Sequence, residues 1–269
     1  MISLRLKEVL AVPLETEAIT PDNFQDKSLA EIANLPVVYG NQVAKLGDFF
    51  EIKPNQSDEV RVEGDLSRVK YIGSKMKQGT LVVEGDAGMH LGAQMRGGKI
   101  IVQGNVGDWA GAEMRGGIIH IWGNAGHALG CAYRGSPRGM NKGVILCEGN
   151  AGNEAGATMR RGLIAIRGNT GDFTGAFLIA GTILVFGKLG ARPGAGLKRG
   201  TIVAFQPPTL LPTFQYDCVY KPAFLRLIMQ YLRGLGWPIE DEYFNGYYRR
   251  YSGDLTALGK GEILVYDQH

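Results

Sequence analysis

Short apolar runs recur through the middle of the chain, and each closes on a glycine: KIIVQG, IIHIWG, VILCEG, LIAIRG and TILVFG. Runs of this length, rich in β-branched residues and bounded by turn formers, predict strands. A Gly followed by Asn or Asp ends such runs again and again. The pairs are Gly64-Asp65, Gly85-Asp86, Gly104-Asn105, Gly123-Asn124, Gly149-Asn150 and Gly168-Asn169, and Gly187-Lys188 continues the series. Their spacings are 21, 19, 19, 26, 19 and 19 residues. A second marker, a Met or Leu three residues before a glycine, runs in phase with the first. It falls at Met76, Met95, Met114, Met140, Met159, Leu178 and Leu197, spaced 19, 19, 26, 19, 19 and 19. Two markers that share one period and one seven-residue insertion define an internal repeat. The insertion lies around Cys131–Lys142, in the turn AYRGSPRGMNKG.

Each repeat has a physical reading. The Gly-Asn or Gly-Asp pair tolerates left-handed backbone and turns the chain. Small residues in segments such as GDWAGAEM and GNEAGATM let neighbouring backbones approach closely, and the marker Met or Leu points into a core. A unit of this size suits one coil of a parallel solenoid, stacked on the last at roughly 4.8 Å. The expected fold is all-β: a right-handed parallel β-helix of about seven coils, with small capping segments and one C-terminal helix.

The flanks lack the repeat. Residues 1–45 read as an N-terminal cap, with an edge strand at Leu4 and Leu6 and a short helix SLAEIA. Ser28 followed by Glu31 is a capping-box pattern for that helix. Residues 46–205 form the β-helix, with LGDFFEI (46–52) as a degenerate first coil. Residues 206–269 are a C-terminal extension. In it, Pro222 opens an amphipathic helix with Leu225, Ile228, Met229 and Leu232 on its apolar face, expected to cover the last coil. The stretch EYFNGYYRRYSGDL either packs on the chain's own β-helix or serves as an interface, since Tyr and Arg are enriched there. GEILVYD reads as a final strand.

Composition narrows the class. Of 269 residues 40 are glycine, about twice ordinary usage, without the triplet of collagen. A net charge of +3 does not argue for nucleic acid. MISLRLKEVL lacks the apolar core of a secretory signal, and no apolar run is long enough for a membrane span. A cytoplasmic protein is therefore expected. Cys131, Cys147 and Cys218 are scattered, with no CxxC, so no metal or iron–sulfur cofactor is expected in this chain.

No catalytic constellation emerges. His90, His120, His127 and His269 are dispersed, and His120 inside IIHIWG reads as a core or face histidine. His90 and His127 occupy related turn positions two repeats apart, too far to share a metal. The G-x-x-x-G runs lack the GKS or GKT of a phosphate loop. One feature does suggest binding. The residue after the marker Met or Leu is often basic, at Lys77, Arg96, Arg115, Arg160 and Lys198. Arg161 and Arg199 adjoin this row, and Arg134 and Arg138 lie in the insertion. Equal phase predicts one basic face, either a solvated stripe or a contact for an acidic partner or polyanion.

The repeats GDAGMHLGAQMRGGKIIVQGN and GNAGNEAGATMRRGLIAIRGN resemble the GXGXG β-helix domain of the glutamate synthase large subunit. With LLPTF after the last coil and GDLTALGKGEI near the end, nearly the whole chain is similar to the C subunit of formylmethanofuran dehydrogenase and of the related bacterial formyltransferase/hydrolase complex. The resemblance implies a scaffold protein that binds its neighbours, with metals and catalytic residues on other subunits. It also implies a complex handling formyl groups on methanofuran and tetrahydromethanopterin. The glutamyl tail of a methanofuran-type cofactor then becomes a candidate occupant of the basic face. The insertion and the tail favour the bacterial form. Two other functions fit less well. A hexapeptide acyltransferase would need six-residue steps, which this period does not provide, and a detached glutamate synthase domain does not account for the helix and Tyr-rich tail.

Overall fold

The computed structural model describes residues 2–267, so His269 lies outside the described residues. The chain is mostly β. Its main sheet begins at Phe50–Pro54 and continues through Ile2–Leu6, Glu59–Glu63, Thr80–Glu84, Lys99–Val102, Arg115–Ile121, Lys142–Cys147, Leu163–Ile166, Thr182–Val185 and Arg199–Ala204. It ends with Lys260–Asp267, Tyr247–Gly253 and Gln215–Tyr220. From Ile2–Leu6 to Lys260–Asp267 every neighbour is parallel. Each central repeat thus adds one strand, with a register shift between Arg115 and Ile118 where Arg115–Ile121 pairs with Lys142–Cys147. A second parallel column of single bridges joins Leu66, Ala87, Val106, Ala125, Ala151 and Thr170.

The register explains the sequence pattern. Leu81, Ile100, Ile119, Ile145, Ile164, Ile183, Ile202 and Ile263 form one buried row across the sheet. The marker residues Met76, Met95, Met114, Met140, Met159, Leu178 and Leu197 are also fully buried, in the same core cluster. Glycines make room for both. A Cβ added at Gly117 would lie 2.7 Å from the Met95 methyl, and one at Gly143 would lie 2.8 Å from that of Met114. On the other side of the core, a Cβ at Gly92 would meet Ile119 at 2.6 Å, and one at Gly111 would meet Ile145 at 2.6 Å.

The turn asparagines do more than bend the chain. The Asp86 carboxylate accepts the Asn105 backbone N–H, and the side-chain oxygens of Asn105, Asn124, Asn150 and Asn169 accept the N–H of Asn124, Asn150, Asn169 and Lys188, at 2.7–2.8 Å. A parallel ladder runs through Asp108, His127, Asn153 and Asp172, ending on the Ala191 N–H. Each rung satisfies a backbone donor that the turn would otherwise leave to water.

The flanks differ from expectation in three places. Ile2–Leu6 is a strand but not the edge, because Phe50–Pro54 pairs antiparallel outside it. Residues 46–52 are not a coil: Leu46–Phe49 is one helical turn leading into that antiparallel edge strand. The Ser28 capping box forms as expected over Leu29–Ala33.

The helix Ala223–Gly234 also differs: it lies along the outer face of several repeats, the last one included, and does not close the end of the stack. Its Leu225, Met229 and Leu232 pack on the outer face of the sheet, against Leu146, Leu163, Ala165, Leu184, Val203 and Leu264. That outer row is apolar in each of these strands, which gives the helix's apolar face a surface to bury against. The end of the parallel stack is taken by Lys260–Asp267, the strand read from GEILVYD, followed by the Tyr-rich strand. There Tyr248 is buried and donates to the Tyr243 carbonyl, while Arg249 pairs with Asp267 at 2.9 Å and Arg250 with Glu262 at 2.9 Å. The Tyr-rich tail packs on the chain's own sheet. Asp254, from the GDLTALGKG segment, is buried and accepts the N–H groups of Gly196 and Thr256, tying the tail to the last repeat.

Candidate functional site

The residue after each marker Met or Leu leaves the core and turns outward. Its backbone N–H donates to the marker carbonyl of the preceding repeat, as Arg96 does to Met76, Arg115 to Met95, Asn141 to Met114, Arg160 to Met140, Ile179 to Met159 and Lys198 to Leu178. One ladder of hydrogen bonds therefore sets the basic residues in a single row. The row is not continuous: its fourth and sixth repeats carry Asn141 and Ile179. Lys77, Arg96, Arg115 and Lys198 are exposed, as are Arg134, Arg138, Arg161 and Arg199, and Arg160 is half-buried. Among the described residues none of these side chains forms an ion pair, whereas Arg61, Arg167, Arg249 and Arg250 all do.

Two clefts open along the row. The first, of about 570 Å³, lies between the N-terminal segment and the early repeats, and Lys77 and Arg96 line it with Lys75, Glu17, Asp22 and Ser74. Glu17 is spent on Lys75 at 2.7 Å, and Asp22 accepts the Lys77 backbone N–H at 2.8 Å. The second, of about 300 Å³, lies against the insertion and is lined by Glu113, Arg115, Ser136, Arg138 and Asn141 among others. Arg134 and Arg161 line neither of these two clefts, and Arg160 and Lys198 continue the row beyond them. The acidic contributions from residues 17 and 22 carry no motif. Only the fold brings them beside the row.

The insertion is pinned from several sides. The Tyr133 hydroxyl meets His90 Nδ1 at 3.0 Å, the Gly139 N–H donates to the Thr158 carbonyl at 3.0 Å, and the Met140 N–H to the Gly130 carbonyl at 2.9 Å. His90 stacks between Tyr71 and Trp109, with ring centroids 4.6 and 5.6 Å away. Burial, and then nearby Lys70, holds its imidazole below the usual histidine range. His127 is a rung of the second ladder, its Nδ1 accepting the Asn153 N–H at 2.9 Å. His120 lies on the outer face, 3.0 Å from Glu148, which also holds Arg167 at 2.8 Å. The three histidines thus serve separate structural contacts. Among the described residues no group of three or more His, Cys, Asp or Glu side chains is placed to hold a metal ion, and no helix is long and apolar enough to cross a membrane.

No family model matches the chain. Individual relatives do. Over 87 residues it is 46% identical to the C subunit of the molybdenum-containing formylmethanofuran dehydrogenase 1 of Methanothermobacter thermautotrophicus, a stretch covering 32% of this chain and 22% of that one. Over 95 residues it is 41% identical to the C subunit of the tungsten-containing formylmethanofuran dehydrogenase 2 of Methanothermobacter marburgensis, covering 34% and 35%. The matched stretches thus span a fifth to a third of these curated relatives. A chain of the formyltransferase/hydrolase complex FhcABCD of Methylorubrum extorquens, solved in complex with methylofuran, is similar throughout. It superposes with a TM-score of 0.92 at 39% identity, covering 99% of this chain and 100% of that one. The protein belongs to the family formed by the C subunit of formylmethanofuran dehydrogenase and its counterpart in the formyltransferase/hydrolase complex.

Proposed function

We propose that this chain is a non-catalytic scaffold within an assembly of several subunits that transfers and hydrolyses formyl groups on a methanofuran-type carrier. The observation that carries this reading is the match over 99% of the chain to a component of FhcABCD, the complex solved with methylofuran. The dehydrogenase matches reach only about a third of the chain, which favours formyl transfer and hydrolysis over formylmethanofuran oxidation. Tetrahydromethanopterin would be the second carrier, and metal and catalytic groups would sit on other subunits.

The scaffold role rests on shape. The repeats wind as a right-handed parallel β-helix. Its support is the run of parallel strands from Ile2–Leu6 to Lys260–Asp267, the second parallel column of bridges and the buried line of marker methionines. Equal repeats give flat walls, and flat walls with regularly placed side chains suit large, permanent interfaces. The basic row is the wall proposed to meet anionic groups, whether of a partner or of the carrier's glutamyl tail.

Co-expression with the neighbouring genes, followed by affinity capture of this chain, tests the proposal. Larger subunits should co-elute in fixed ratio, formyl transfer should appear in the complex, and the isolated chain should be inert. Elution of the chain alone, or turnover by it alone, would overturn the reading.

A further inference from the structure

We infer that Asn245 and Gly246 form a self-modifying site, where the chain converts its own asparagine to aspartate or isoaspartate and so loosens the strand that closes the stack. Asn245 is the one asparagine in the chain that a glycine follows. The reaction needs no partner but water. The Gly246 backbone nitrogen attacks the Asn245 side-chain carbon Cγ, the Cγ–Nδ2 bond breaks, and the Gly246 proton leaves with the nitrogen as ammonia. Water then opens the cyclic imide. Opening at the side-chain carbonyl leaves aspartate. Opening at the main-chain carbonyl leaves isoaspartate, whose backbone runs one methylene longer.

The fold leaves this pair open and ties other asparagines down. Asn245 is exposed and ends the single helical turn Asp241–Asn245, which no side chain caps. Among the described residues neither its carboxamide nor the Gly246 N–H has a hydrogen-bond partner. Asn124 is the contrast. Its carboxamide donates to Asn105 at 3.0 Å and accepts the Asn150 N–H at 2.8 Å, and the N–H that follows it, of Ala125, donates to the Asn150 carbonyl at 2.8 Å. Asn150 is held in the same way by Asn124, by the Asn169 N–H and through the Ala151 N–H. Attack there would break rungs of the ladder, whereas at Asn245 it needs only the opening of one uncapped turn. Glycine at the attacking position carries no Cβ to hinder the approach. Lys221 and Arg226 line the cavity of about 180 Å³ that Asn245 and Gly246 share, and Lys221 Nζ stands 4.5 Å from the Tyr247 ring centroid. Their charges favour the anion that builds on the carboxamide oxygen during attack. Gly246 leads directly into Tyr247–Gly253, where Tyr248 lies opposite Tyr266 and its hydroxyl donates to the Tyr243 carbonyl at 3.0 Å. The Tyr266 ring packs on Gly246 itself. An added backbone methylene at position 245 displaces these contacts, and aspartate there does not.

The test incubates the full chain in mild alkali, native and urea-unfolded side by side. Peptide mapping by mass spectrometry follows the exchange of NH for oxygen at each asparagine, and isoaspartyl methyltransferase labels the isoaspartate. Conversion of Asn245 in the native chain should run within about threefold of its rate in the unfolded one, while folding should slow Asn124 and Asn150 by at least about tenfold. Lys221→Met combined with Arg226→Met should slow Asn245 severalfold in the native chain and leave the unfolded rate as it was. The aged, more acidic fraction should exchange amide hydrogens faster than the parent across Tyr247–Gly253, and Asn245→Asp should exchange as the parent does. A native rate at Asn245 about tenfold or more below the unfolded rate would overturn the site, since the helical turn would then shield it. An unchanged rate in the double variant would remove the part assigned to the two cations. Parent-like protection of Tyr247–Gly253 in the isoaspartate-bearing chain would overturn the loosening.

Discussion

In this core a methyl group often occupies the space that a glycine leaves empty. Gly117 has φ +85°, and a Cβ there would lie 2.7 Å from the Met95 methyl and 2.8 Å from the Gly98 carbonyl oxygen. Gly135, at φ +86°, has nothing within 4 Å of the same position. Both Gly→Ala changes strain the backbone, by about 1 kcal/mol. Only Gly117→Ala adds overpacking, for a total loss of about 2–4 kcal/mol. Urea unfolding of the two variants should separate these terms, and equal losses would contradict the packing described. The thiols offer a second measurement. Burial pushes Cys131 and Cys147 up to about 11, above the value of an unfolded thiol. The folded protein keeps those protons where the unfolded chain releases them, so stability should fall as pH rises from about 9 to 11, by on the order of 2 kcal/mol per thiol. In native protein only the exposed Cys218 should react readily with a maleimide. At this scale the sequence is informative where a residue type recurs in phase, as the methionines do. It is silent on Asp22 and Glu17, whose place beside Lys77 depends on a contact more than fifty residues away in the chain.

The elements of the stack are held by two different forces, and only one is legible in the sequence. Alternating apolar strands with a nineteen-residue phase lead directly to a parallel stack. The Gly-Asn pairs read as turns, which they are, but their side chains also bridge one repeat to the next. A turn and a ladder place the same residue types at the same positions, so spacing alone does not separate them. Asn124→Ala should cost about 1 kcal/mol, at the low end for a lost acceptor because the Asn150 N–H it serves is reachable by water. Asn124→Asp, which keeps the oxygen, should cost less in the same thermal melt. The helix Ala223–Gly234 shows the complementary limit. Its amphipathic spacing marks Leu225, Met229 and Leu232 for burial, but periodicity names a face and not what the face meets. Leu232→Ala should lose about 2–4 kcal/mol and loosen the outer face of the sheet near Val203 and Leu264. Faster hydrogen exchange in Arg199–Ala204 would report that loosening, and protection equal to the parent's would count against it.

For the whole molecule, what matters is that both ends of the parallel stack are closed by antiparallel strands from the flanks. Phe50–Pro54 closes one end, and Tyr247–Gly253 with Gln215–Tyr220 closes the other. The interior between these closures is set by contacts that reach one repeat up and one repeat down. A second copy of residues 77–95, spliced in after Met95, would meet an isoleucine row, a methionine line and an asparagine rung of the same kind on each side. That longer protein should melt in one transition at a temperature close to the parent's, whereas a copy trimmed by one residue should misregister and aggregate. The seam between neighbours is therefore generic, and overall reach becomes a matter of counting. A lineage could extend or shorten this stack in steps of nineteen residues without reinventing its interior.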